Sequence, residues 1–232
     1  MTSVEPPVGA PVDTSPAKPP GDVKLEGHFG SVEKLDPLQH GTDLWNAVKT
    51  DDSLWAYMAY GPFADAKLFG AWLTERAGLT DPYYYSIVDR DGHAVGIATL
   101  MEIRPGARVI EVGHIVYGTP LQRTPLATEA QYLLARYVFE TLHYRRYEWK
   151  CNALNAASQG AAKRYGFTFE GIFRQHMIVK GRNRDTAWFS MLDTEWPARR
   201  AIFENWLSPS NFDAQGRQKT SLRALQKTDQ SR

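Results

Sequence analysis

Residues Gly118 to Glu129 read as a loop that opens a helix at Thr124-Pro125. Threonine is a good N-cap, and proline fits the first helical position, where its missing N–H would have no partner anyway. A helix entered this way presents backbone N–H groups and the positive end of its dipole, a site suited to an anion such as a pyrophosphate. Arg123, just before it, adds charge. The preceding strand, Glu111 to Tyr117, carries the titratable side chains Glu111 and His114. A third, His176, lies beside Met177 on a later strand. An imidazole with an ordinary pKa near 6.5 suits proton transfer at neutral pH, and a carboxylate acts directly or through a water. His114 equally reads as a satisfied core residue, and Glu111 as an arginine's partner. Ser158, three residues after Asn155, stands at a helix entry, where a hydroxyl caps backbone N–H groups.

These residues need a frame. Val23 to Leu35 reads as one or two short strands broken near Gly30, and Pro37 to Lys49 as a helix. Asp65 caps a second helix that stops at Gly78. Tyr83 to Val88, Ala94 to Ile103 and Val109 to Tyr117 read as strands, with turns at Asp89 to Gly92 and at Pro105-Gly106. The helix from Pro125 is expected to reach about His143, with Leu133, Leu134, Val138 and Leu142 in its apolar stripe. Tyr147 to Cys151 is a strand and Ala156 to Tyr165 a helix. Phe167 to Val179 and Thr186 to Leu192 are strands around a turn at Lys180 to Asn183, and Pro197 to Leu207 closes the fold as a helix. The order β-α-α-β-β-β-α-β-α-β-β predicts an α+β protein. Its sheet is mixed, with antiparallel hairpins around one strand–helix–strand crossover.

The 232 residues suit one domain with tails: 43% are hydrophobic and 23% charged, enough for an ordinary core. Residues 1 to 22 hold six of the 14 prolines and read as a disordered tail. From Asp213 onward a second, polar tail holds at most a short helix at Ser221 to Gln226. A net charge of +1 gives no nucleic-acid footprint, and no apolar run is long enough for a membrane span. Cys151 is the single cysteine, so neither a disulfide framework nor a cysteine cluster for zinc is expected, and a cytoplasmic location is the simplest.

Gln122-Arg123-Thr124-Pro125-Leu126-Ala127 resembles the Gln/Arg-x-x-Gly-x-Gly/Ala signature of the GCN5-related N-acetyltransferase (GNAT) family. The first and last positions match, while Pro125 stands where glycine is usual and removes one N–H. Ala127-Thr128-Glu129-Ala130 resembles the helix start of the ribosomal-protein-alanine (RimJ/RimL-like) branch. The same branch is matched by Lys150 to Ser158, Tyr165-Gly166-Phe167 and Glu170-Gly171 with Arg174; residues 24 to 195 or so fit it.

The resemblance implies a GNAT sheet and an N-acetyltransferase that uses acetyl-CoA as co-substrate and no metal. Its acceptor is a small-molecule amine or a peptide N-terminus, and dimers are frequent in the family. Gln122, Arg123, Thr124, Ala127, Thr128 and Asn155 would hold CoA, and a backbone N–H around Gly113 to Ile115 would receive the oxyanion. Ser158 matches the branch's general acid; Ala162 stands where many members carry a tyrosine. The branch's glutamate falls on Met177, leaving Glu111, His114 and His176 as candidate bases. On a regular strand His176 points away from the face of Met177. The aromatic run Trp55 to Phe63 falls where the family builds its acceptor pocket, and packing is its other reading. The alternative is a non-catalytic acyl-CoA sensor or scaffold of the same fold.

Overall fold

Breakers and caps set the elements where the apolar periodicity places them. The computed structural model describes residues 7–229. Lys24–Glu26 (β1) and Gly30–Lys34 (β2) precede Pro37–Val48 (α1), which starts because the Asp36 carboxylate accepts the Leu38 N–H. Asp65 likewise accepts from Leu68 N–H at the start of Ala66–Ala77 (α2). Tyr83–Asp89 (β3), Ala94–Arg104 (β4) and Val109–Tyr117 (β5) follow, then Pro125–Arg136 (α3), Arg146–Asn152 (β6), Ala156–Arg164 (α4), Thr168–Val179 (β7), Arg182–Leu192 (β8), Trp196–Leu207 (α5) and Leu222–Asp229 (α6).

The eight strands make one sheet in the order β1-β2-β3-β4-β5-β6-β8-β7. All neighbours are antiparallel except β5 and β6, which α3 joins as the expected crossover. One face carries the larger core, where Val112, Trp149 and Phe189 of the sheet meet Leu133 and Val138 of the crossover and Phe203 of α5. On the other face α1 and α2 pack on β3 and β4 around Trp55, Phe69, Trp72 and Tyr84. That second core ends at Val116 and leaves the polar residues of β5, β6 and β8 outside it. Among the described residues no helix is long and apolar enough to cross a membrane.

Four expectations change. The crossover helix stops at Arg136 and continues as a π turn over Tyr137–Thr141, where Leu142 N–H reaches Tyr137 O. β8 begins at Arg182 rather than Thr186. Lys180 (φ 49°) and Gly181 (φ 71°) form a two-residue turn, so the ladder runs to Val179 opposite Arg182. The proline-rich segment is attached to the body as far as it is described. Ala17 is buried, its N–H donates to Pro105 O, and Lys18 N–H donates to Leu142 O. Backbone hydrogen bonds do this work, and side-chain apolarity does not reveal them. At the other end α6 buries Leu222, and Asn211 ties in Thr220. Residues 1–6 and 230–232, also assigned to the tails, lie outside the described residues.

Candidate functional site

Two parallel strands that separate create the cleft. β5 and β6 pair only from Val109 to Val112 against Arg146 to Trp149, although β5 runs on to Tyr117 and β6 to Asn152. The cause lies in β5. Its register against β4 shifts between Gly113 and Val116, and His114 sits in the left-handed region (φ 46°). That is a bulge, which bends a strand away from its neighbour. The two edges facing the gap therefore present N–H and C=O groups without a ladder partner. Gly113, His114 and Ile115 lie on one edge and Lys150 to Asn152 on the other.

Both flanking helices start at the open end of this gap. At α3, Thr124 Oγ1 accepts the Ala127 N–H at 3.3 Å and donates to Leu121 O at 2.7 Å. Arg123 adopts φ 62°, which turns the chain into the helix and leaves its side chain exposed. Gln122 Nε2 donates to Tyr117 O. Ala127 and Thr128 are buried, and Thr128 Oγ1 accepts from Arg164, so both offer the cleft backbone only. At α4, Asn155 Oδ1 caps Ser158 N–H at 3.0 Å. Ser158 Oγ accepts from Trp149 Nε1 at 3.0 Å and keeps its own proton to give. Cys151 is buried beside it, and burial pushes its thiol up.

Glu111 stands on β5 ahead of the bulge, almost fully buried. Its carboxylate lies 2.7 Å from Lys150 Nζ. Lys150 also meets Glu148 at 3.0 Å and lies over the Trp188 ring, and Glu148 is held by Arg104 and Arg146. Burial pushes Glu111 up to about 7, against the pull of Lys150. His114 is pushed down to about 4, by burial first and then by the charges of Arg76 and Arg184. Its Nδ1 is 2.8 Å from Tyr60 Oη, and its ring stacks between Tyr60 and Tyr84. His114 is thus both packed and polar, neutral at neutral pH.

His176 does not follow the regular-strand expectation. Phe173 faces Thr186 and Met177 faces Arg184, so β7 carries two extra residues between these pairs, with Gln175 at φ 49°. This bulge turns His176 Nδ1 to Thr186 Oγ1 at 3.0 Å. It reaches the edge of the face that carries Lys150 and Trp188, its ring 6.1 Å from that of Trp188.

The aromatic run divides between the core and the cleft. Trp55 is core, whereas Tyr60 meets His114 and Tyr57 Oη donates to Leu154 O across the cleft. Lys180, at the β7–β8 turn, donates to Trp55 O and Gly61 O. Lys150, Tyr84, Arg76, Arg184 and Trp188 join the site without having been singled out for it. Only the alternation Tyr147, Trp149, Cys151 against Glu148, Lys150 marked a polar face in advance.

A family model described as an acetyltransferase (GNAT) domain matches residues 35–168. A GCN5-related N-acetyltransferase from Brucella melitensis is 44% identical, with a TM-score of 0.89 over 92% of this chain and 98% of that one. A GNAT-family structure from Chromobacterium violaceum is 39% identical, with a TM-score of 0.77 over 85% of this chain and all of that one. YdaF of Bacillus subtilis (strain 168), whose name places it among ribosomal N-acetyltransferases, is 27% identical over 110 residues. The match spans 47% of this chain and 60% of that relative. The chain belongs to the GNAT family of acetyltransferases.

Proposed function

We propose that the chain moves an acetyl group from acetyl-CoA to an amine, with Glu111 taking the amine's proton. The observation that carries this is the bulge-opened gap with a buried carboxyl of pKa about 7 on the bulged strand. An arm bearing amides fits such a gap, because both facing edges offer unpaired backbone groups. The α3 start, with Thr124 and Arg123, suits the pyrophosphate at the far end of the same molecule. An N–H at the bulge, around His114 and Ile115, would receive charge on the thioester oxygen as the amine adds. Ser158 Oγ–H would return a proton to the departing sulfur.

Glu111 is favoured as base over His114 and His176 for a physical reason. A base works best when its pKa lies near the working pH. His114, at about 4, is a weak base there and serves better to orient the acceptor with Tyr60. His176 is exposed and bound to Thr186. The acceptor side is closed by Tyr57, Tyr60 and the β7–β8 turn, which suits a small amine or the first residue of a peptide; the name of YdaF favours the peptide.

The test is release of thiol from acetyl-CoA against amines and peptide N-termini, with CoA binding followed in parallel. Acceptor-dependent release is expected. Tight CoA binding without release for any acceptor would favour the sensor alternative, and absence of CoA binding would defeat both.

A further inference from the structure

The acceptor side of the cleft holds a cation, Arg184, that has no ion-pair partner among the described residues and feels the charge of Glu111 only at longer range. Arg184 lies on β8 opposite Met177, next to Asp185, whose carbonyl receives the Ala153 N–H where β6 ends. It is half-buried, and its Nε donates to Thr186 Oγ1 at 3.2 Å. Among the described residues it has no carboxylate within ion-pair distance. The acids of the neighbouring face are already engaged, Glu111 by Lys150 and Glu148 by Lys150, Arg104 and Arg146. Burial lowers the Arg184 pKa, which reflects the cost of holding that charge out of water.

Arg76 reaches the same place from α2. Its charge acts on His114 together with that of Arg184; its Nη2 meets the largely exposed Glu75 at 3.2 Å, while its Nε is buried without a hydrogen-bond partner. The charges of two guanidinium groups thus reach His114, the partner of Tyr60. A half-buried guanidinium without a counter-ion is costly, and its planar fork matches a carboxylate. The same charges disfavour an ammonium nearby, so they help an incoming amine to shed its proton.

We infer that Arg184 receives a carboxylate of the acceptor, which makes the acceptor an acidic molecule with its amine close to the acid group. This rests on the acetyl-transfer reading and narrows it. The chemistry is shared by free amino acids and by peptides whose first residues are acidic.

Matched ligands test it by calorimetric titration into the CoA-loaded protein, where no transfer can occur. One pair is an amino acid and its amide; the other is a peptide amide beginning Asp-Ala and its Asn-Ala counterpart. The acidic member of at least one pair should bind at least about tenfold more tightly, a margin set by a hydrogen-bonded charge. The pair that shows the margin identifies the source of the carboxylate. The preference should vanish in R184Q and partly return in R184K, with CoA affinity kept as the check on folding. Equal binding within both pairs, or an acid preference undiminished in R184Q, overturns the inference. Thiol release from acetyl-CoA is measured alongside. Acid-selective, Arg184-dependent binding without release under any acceptor would sink the transfer reading and leave the anion site standing. Release that is indifferent to acceptor charge would do the reverse.

Discussion

Glu111 gives the residue scale its sharpest prediction. A base must be unprotonated to act, and burial sets this one at about 7. kcat/KM should therefore level off above about pH 7 and fall tenfold per unit below it. Glu111→Gln should cost roughly 10² to 10⁴-fold and abolish that limb. A limb of unchanged midpoint in the variant would assign the proton to another group. His114, near 4, cannot produce it. Ser158→Ala should lower turnover by roughly 10²-fold with CoA binding kept, and an unaltered rate would remove Ser158 from the chemistry. The titratable pair on β5 was legible in the sequence, because strand type and residue type are local. Arg184, Lys150 and Trp188 were not. Each reaches the cleft through pairing between segments far apart in the chain, and no local pattern encodes which residue of one strand faces which of another.

Elements read well where caps and breakers are explicit. Asp36, Asp65, Thr124 and Asn155 each start a helix by taking a backbone N–H, and each start stands within a residue of the expected place. The β7 bulge escaped because it falls on an ordinary residue: Gln175 takes positive φ where glycine would have given a signal, and on β5 the residues alone, His114 among them, give none. One element is held from outside itself. The turn between β1 and β2 rests on Glu129 of α3, whose carboxylate accepts the His28 and Phe29 N–H groups at 2.6 and 2.7 Å. Gly27 lies so close that a Cβ there would collide with the Glu129 carboxylate. Glu129→Ala should cost on the order of 2 kcal/mol, by loss of two charge-assisted bonds. Urea unfolding would measure it, and a change below about 0.5 kcal/mol would mean that the turn supports itself.

At the scale of the molecule, one sheet carries two cores on opposite faces, and the cleft opens where a helix-covered half meets an open, polar half. Composition set the ends of the chain apart from its body and did not reveal how their described parts are attached. The segment before β1 is bound through Ala17, Lys18, the Gly21 N–H on Tyr137 Oη, and the Asp13–Arg108 ion pair. Deleting residues 1–22 should cost about 2 kcal/mol and lower Tm by roughly 4–8 °C. An unchanged melting curve would show these contacts to be idle. On the side proposed for the acceptor, the Lys180 ammonium ties the β7–β8 turn to the Trp55 and Gly61 carbonyls, more than a hundred residues earlier in the chain, beside the Tyr57–Leu154 bond. A hairpin tip, ordinarily the freest place in a protein to vary, is on the proposed reading a wall of the pocket. Drift at that tip would alter which molecules the enzyme admits while the acetyl-handling machinery stayed as it was, so new acceptors are reachable without rebuilding the chemistry.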